Sequence, residues 1–165
     1  MFDTSLDQPP NKTEIALKHY WIPVLAALVF GGVATPIAAG AADTREAVQR
    51  TDAERDFILD QMRLLLSSIV EIEEGLGASD MDKVAREAAP RGRKANLNLA
   101  RPPGLAAKES EAWKSMFASV RGGFDTIAEK ASAHAPATEI NRILGDTMRN
   151  CAACHQTYRI ETSGH

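Results

Sequence analysis

The chain has 165 residues, room for one domain and a tail, and its 19 basic and 22 acidic residues leave a formal net charge of -3. That balance excludes both the basic excess that nucleic-acid binding needs and an acidic block, so charge names no partner. Aromatic residues make up 5% of the chain and hydrophobic ones 44%, much of that Ala and Leu, which favours packed helices over aromatic-rich and β-branched sheets.

From His19 to Ala42 there is no Asp, Glu, Lys or Arg, and Trp21 to Phe30 forms an apolar block just after Lys18. A positive flank, an apolar run and the A-x-A pattern of Ala39-Gly40-Ala41 read as an export signal, cut after Ala41. The expected organisation is therefore a signal peptide over 1–41 and a periplasmic domain over 42–165. The competing reading is an uncleaved membrane anchor over 19–42, because the uncharged span approaches the ~20 residues that a spanning helix requires. Gly31-Gly32, Pro36 and Gly40 interrupt such a helix.

Beyond the export segment the pattern predicts four helices around one core, an all-α four-helix bundle. Thr51 with Glu54 has the form of a capping box, opening a first helix that ends near Gly75-Leu76-Gly77. Its seam is Ile58, Met62, Leu65, Ile69 and Ile72, widened by Leu59 and Leu66. Ser79 or Asp80 caps a short second helix through Val84, Ala85 and Ala88, and Asn96 to Leu105 reads as a loop around Pro102-Pro103-Gly104. A third helix runs from about Lys108 with Trp113, Met116, Phe117, Val120, Phe124, Ile127 and Ala131 on one face, Gly122-Gly123 being a soft point. The fourth starts near Thr138 and carries Ile140, Leu144, Met148, Cys151, His155 and Tyr158 at spacings of three and four. Met116 and Met148 are expected to pack, and Met81 to be exposed.

The two cysteines stand as Cys151-Ala-Ala-Cys154-His155, the C-x-x-C-H form of a c-type haem attachment. On a helix, thiols three residues apart lie about one turn from each other, so each can bond one haem vinyl group while the adjacent imidazole reaches the iron. A redox dithiol, half of a zinc site and a plain disulfide are the other uses of such a pair, and each fits worse. A dithiol would be expected beside a βαβ pattern, and zinc would need ligands from a chain with no further Cys and few His. The expected cofactor is one haem c, with Cys151 and Cys154 as covalent attachments and His155 as proximal iron ligand.

The string Cys151-x-x-Cys154-His155-x-x-Tyr158-Arg159, close to the C-terminal end, resembles the cytochrome c-prime family, and Glu54-Arg55 through Gly75 can be laid without a gap on that family's first helix. The resemblance implies a four-helix bundle whose first helix supplies the distal side of the haem. That side holds either a Met ligand, suiting electron transfer, or a bulky apolar residue over an open iron that takes nitric oxide or carbon monoxide. The alignment puts Leu59 at the distal position. Met62, one turn on, is the only thioether of the helix, and ligation and core packing both remain open for it. Arg55 and Arg159 match family positions and are the candidates for the haem propionates, ahead of Arg63. Trp113, Phe117 and Phe124 line either the haem or the plain core, and Tyr158 either meets the haem edge or closes the bundle. The expected function is a one-electron carrier rather than an enzyme, working with a redox partner protein. The alternatives are a gas-binding haem protein and a membrane-anchored redox subunit. Family members often pair as homodimers, the expected self-association.

Overall fold

The structure, a computed structural model, describes residues 42–162. The predicted export segment and the residues after 162 lie outside them. In chain order the described residues form β1 (Glu46–Arg50), α1 (Asp52–Gly77), α2 (Met81–Ala88), α3 (Glu111–Ser132), α4 (Ala137–Thr157) and β2 (Tyr158–Thr162), with short 3-10 turns at Ala89–Arg91, Lys94–Asn96 and Leu105–Lys108. The molecule is mainly helical and has the four helices that the periodicity predicts.

The capping box forms as expected. Thr51 Oγ1 accepts from the Glu54 amide at 3.2 Å, and Glu54 Oε2 accepts from the Thr51 amide at 2.8 Å, so two otherwise orphaned donors of α1 are satisfied reciprocally. Ile58, Leu65 and Ile72 bury the seam of α1. Leu66 does not widen it: at 62% exposure it faces outward, as does Val70 one turn further on. Asp80, not Ser79, caps α2 by accepting from the Lys83 amide at 2.8 Å, and Ser79 makes the turn at φ 57. Met81 packs against the core, contrary to the expected exposure, whereas Met148 is 43% exposed and not packed.

α3 begins at Glu111 rather than near Lys108, because Ser110 caps it through the Trp113 amide and residues 105–108 close a 3-10 turn instead. Gly122-Gly123 does not soften this helix, which is continuous to Ser132. Gly123 is where α4 comes close: a Cβ there would run into the Thr147 side chain.

α4 ends at Thr157, and Tyr158 turns extended at φ -118 to begin β2. β1 and β2 pair in parallel, Glu46 beside Tyr158 through Arg50 beside Thr162. The sequence reading has no strand here. Each segment is five residues of mixed polarity, and a parallel pair so far apart in the chain forms only once the helices bring its strands together.

Two apolar clusters result. Phe124 and Ile127 of α3 meet Ile72, Val84, Ile140 and Leu144 in the main core, which joins all four helices. A second cluster of Ile58, Leu105, Trp113 and Tyr158, with Met62, Met116 and Cys154 against it, lies where β1 and β2 approach the end of α4.

Candidate functional site

Cys151, Cys154 and His155 occupy the last two turns of α4, with Cys151 packed against the main core, Cys154 against the second cluster and His155 exposed. Both cysteines are free thiols, half-buried, and Cys151 Sγ lies 3.9 Å from the Thr147 carbonyl. Burial pushes both thiols above their ordinary pKa, with the Cys151 charge adding to the effect at Cys154. They are held as neutral S–H groups, unlike the activated thiolate of a dithiol oxidoreductase.

Two cavities border the motif. One, of about 240 Å³, is lined by Leu59 and Met62 of α1, Trp113 of α3, Cys154 and His155 of α4, Tyr158, Arg159 and Ile160 of β2, and Arg45. The other, of about 50 Å³, lies deeper, among Met62 and Leu65, Met116, Phe117 and Val120, and Asn150, Cys151, Cys154 and His155. The structure thus brings both distal candidates, Leu59 and Met62, to a cavity that His155 also lines, and only Met62 continues into the deeper one. The fold gathers a thioether, an imidazole and two thiols, contributed by α1 and α4, around one apolar space. Among the described residues no three His, Cys, Asp or Glu side chains gather as a cage for a bare metal ion.

The arginines separate. Arg159 lines the larger cavity, its Nε donating to the Arg45 carbonyl at 3.2 Å and its Nη1 bonding Glu161. Arg55 is held by Asp52 and Asp56 and Arg63 by Asp60, and neither lines a cavity at the motif. Trp113 and Phe117 line these cavities, whereas Phe124 belongs wholly to the main core. Tyr158 closes the second cluster, its ring 5.2 Å from that of Trp113.

Three arginines that sequence reasoning did not single out matter here. Arg45 Nη1 donates to the His155 carbonyl at 3.1 Å, placing a cation on the C-terminal end of α4, and its own Nη2 pairs with Asp43 at 2.6 Å. Arg50, 4% exposed, sets its guanidinium 5.4 Å from the Trp113 ring centre, while its Nε and Nη2 have no hydrogen-bond partner. Arg121, 6% exposed, lies over the Phe117 ring at 4.9 Å. Position along the chain carries no signal for any of them, since their burial is a tertiary property.

No protein-family model matches the chain, and no curated protein or solved structure matches it. No helix of the described residues is long and apolar enough to cross a membrane.

Proposed function

We propose that the chain is an exported c-type cytochrome, a four-helix bundle of the cytochrome c-prime type that carries one haem and transfers single electrons. The observation that carries this reading is the meeting of Met62 with the Cys151-x-x-Cys154-His155 motif at one pair of cavities.

The residues present fit the group. Two half-buried neutral thiols stand on one helix at the required spacing, and each S–H can add across a vinyl double bond, sulfur taking one carbon and the proton the other, with no oxidant consumed. His155 would supply the proximal nitrogen and Met62 the distal sulfur. Bound haem supplies an Fe(III)/Fe(II) couple, which a His/Met pair biases to higher potential. The chain's own part is to exclude water and hold the ligands: Trp113, Phe117 and Tyr158 provide apolar walls, and Arg45 fixes the last turn of α4 through the His155 carbonyl.

Leu59 keeps a second reading in play, for it lines the same cavity and would stand over an open iron if Met62 only packed. Met62 is favoured because it borders both cavities at the motif. The exposed Leu66 and Val70 on α1 are where pairing with a second copy would fall.

The test is the visible spectrum of the purified holoprotein, oxidised and reduced, with and without carbon monoxide. Low-spin bands that carbon monoxide leaves unchanged are expected. High-spin bands that shift with carbon monoxide would assign gas binding under Leu59 instead.

A further inference from the structure

A cavity of about 180 Å³ lies between α1, α3 and the connection from α2 to α3, with Phe57, Met62, Leu105, Trp113 and Phe117 among its apolar walls. Its polar side is formed by Gln61, Arg101, Glu109 and Arg121, and neither cysteine borders it. A wider cavity of about 360 Å³ adjoins it, sharing Arg101, Glu109, Phe117 and Arg121. Leu97, which lines the wider one, is 78% exposed, so the pair reaches solvent on the side where Arg121 lies.

Among the described residues Arg121 has no carboxylate partner. Its Nη1 donates to the Arg91 carbonyl and its Nη2 to Gln61 Oε1, both at 3.0 Å. These bonds tie α3 to α1 and to the turn at Ala89–Arg91, but both acceptors are neutral and leave the charge uncompensated. Glu109, the acid of the cavity, is taken by Arg101, and Asp125 pairs with Arg93. The cavity wall therefore carries two guanidinium groups against one carboxylate, an excess of one positive charge. At 6% exposure Arg121 has given up most of its hydration, which neutral acceptors restore only in part and a bound anion would restore further. Burial, with Arg91 and Arg101 close by, lowers the Arg121 pKa, the direction expected of a cation without a counter-charge.

The apolar walls define the rest of the ligand. An engineered apolar cavity of about 150 Å³ holds a benzene molecule. The space here is slightly larger and takes one such ring with a small substituent. We propose that this cavity binds a small aromatic monocarboxylate of benzoate size, its ring among Phe57, Leu105 and Trp113 and its carboxylate on Arg121. A guanidinium meets a carboxylate fork to fork, and a single negative charge matches the excess on the wall. The site stands on the cavity and its buried charge, and on no part of the haem reading.

Isothermal titration of the purified protein with sodium benzoate, benzamide and sodium acetate tests the site, together with Arg121→Gln and, as an exposed control, Arg86→Gln. Benzoate is expected to bind saturably at one site. Benzamide, which lacks the charge, and acetate, which lacks the ring, are expected to bind at least about tenfold more weakly. Arg121→Gln should lose at least about tenfold in benzoate affinity, and Arg86→Gln should match wild type. The ligand series on the wild type decides the matter even if Arg121→Gln does not fold. No saturable benzoate binding, benzamide or acetate bound as tightly as benzoate, or undiminished binding by a folded Arg121→Gln would each overturn the proposal. Undiminished binding by that variant with a shifted visible spectrum would put the carboxylate on a haem iron instead. Protein that binds benzoate with the expected preferences yet carries no covalent haem would uphold this site and overturn only the haem reading.

Discussion

The Arg45 guanidinium and the His155 backbone carbonyl meet at 3.1 Å across 110 positions of sequence. Through this contact the segment preceding α1 holds the last turn of the helix that carries Cys154 and His155, and the pairing of β1 with β2 continues the same strap. Asp43 locks the guanidinium in place, and that hydrogen bond lowers the Asp43 carboxyl to about 2.

Arg45→Ala is expected to release the strap without unfolding the helices. Amide hydrogen exchange should accelerate at Val48 and at Tyr158 to Ile160 and stay unchanged at Phe124 and Leu144 in the main core. Uniform acceleration across the chain would mean that the strap is part of the global fold instead.

Glu54 is buried at 2% exposure, and the Lys108 ammonium, with the Thr51 amide, holds its carboxyl below the ordinary value of 4.5. A depressed carboxylate contributes stability that is full above its unfolded pKa and is lost as the pH falls through the lower folded value. Stability should therefore decline as the pH falls below about 4.5, and Glu54→Gln should flatten that decline, as followed by thermal melts across the acid range. Thr51→Ala, which removes the other half of the capping box, should cost about 1 kcal/mol by chemical denaturation.

The main core gives the largest stability effects. Phe124 is completely buried, and Phe124→Ala should cost about 3–5 kcal/mol in a denaturant titration. Gly123→Val should cost about 1–3 kcal/mol, because its side chain would meet Thr147 where α3 and α4 approach. A neutral Gly123→Val would remove the close approach from this account.

Four helices, their caps at Thr51 and Asp80, and the seam of Ile58, Leu65 and Ile72 were legible because each is local: a period of 3.6, a side chain reaching three residues along the chain, a glycine at a helix end. The motif was legible for the same reason, its residues lying within one stretch of α4. What periodicity could not reach is tertiary. Leu66 has the same spacing as a seam residue yet faces outward, since α1 is covered on one side only. Arg45, Arg50 and Arg121 gain their roles from segments distant in sequence, and the strands exist because the segments flanking α1 and α4 lie side by side. Arg55, by contrast, an expected propionate partner, is taken by its own neighbours Asp52 and Asp56.

Met62→Ala separates ligation from packing. As a ligand, Met62 should on replacement give high-spin bands, a new response to carbon monoxide and a lower reduction midpoint, because the thioether favours the reduced iron. As packing alone, its loss should cost about 2–5 kcal/mol of stability with spectrum and midpoint unchanged.

Covalent haem on Cys151 and Cys154 is the central claim, and the intact mass of the purified protein after acid–acetone extraction, read with its pyridine haemochrome spectrum, tests it most directly. The account predicts a chain heavier by one haem, a c-type haemochrome that stays with the protein, and loss of both in Cys151→Ala/Cys154→Ala. A chain of unmodified mass with two free thiols or a disulfide, isolated from cells competent in c-type haem attachment, would contradict it.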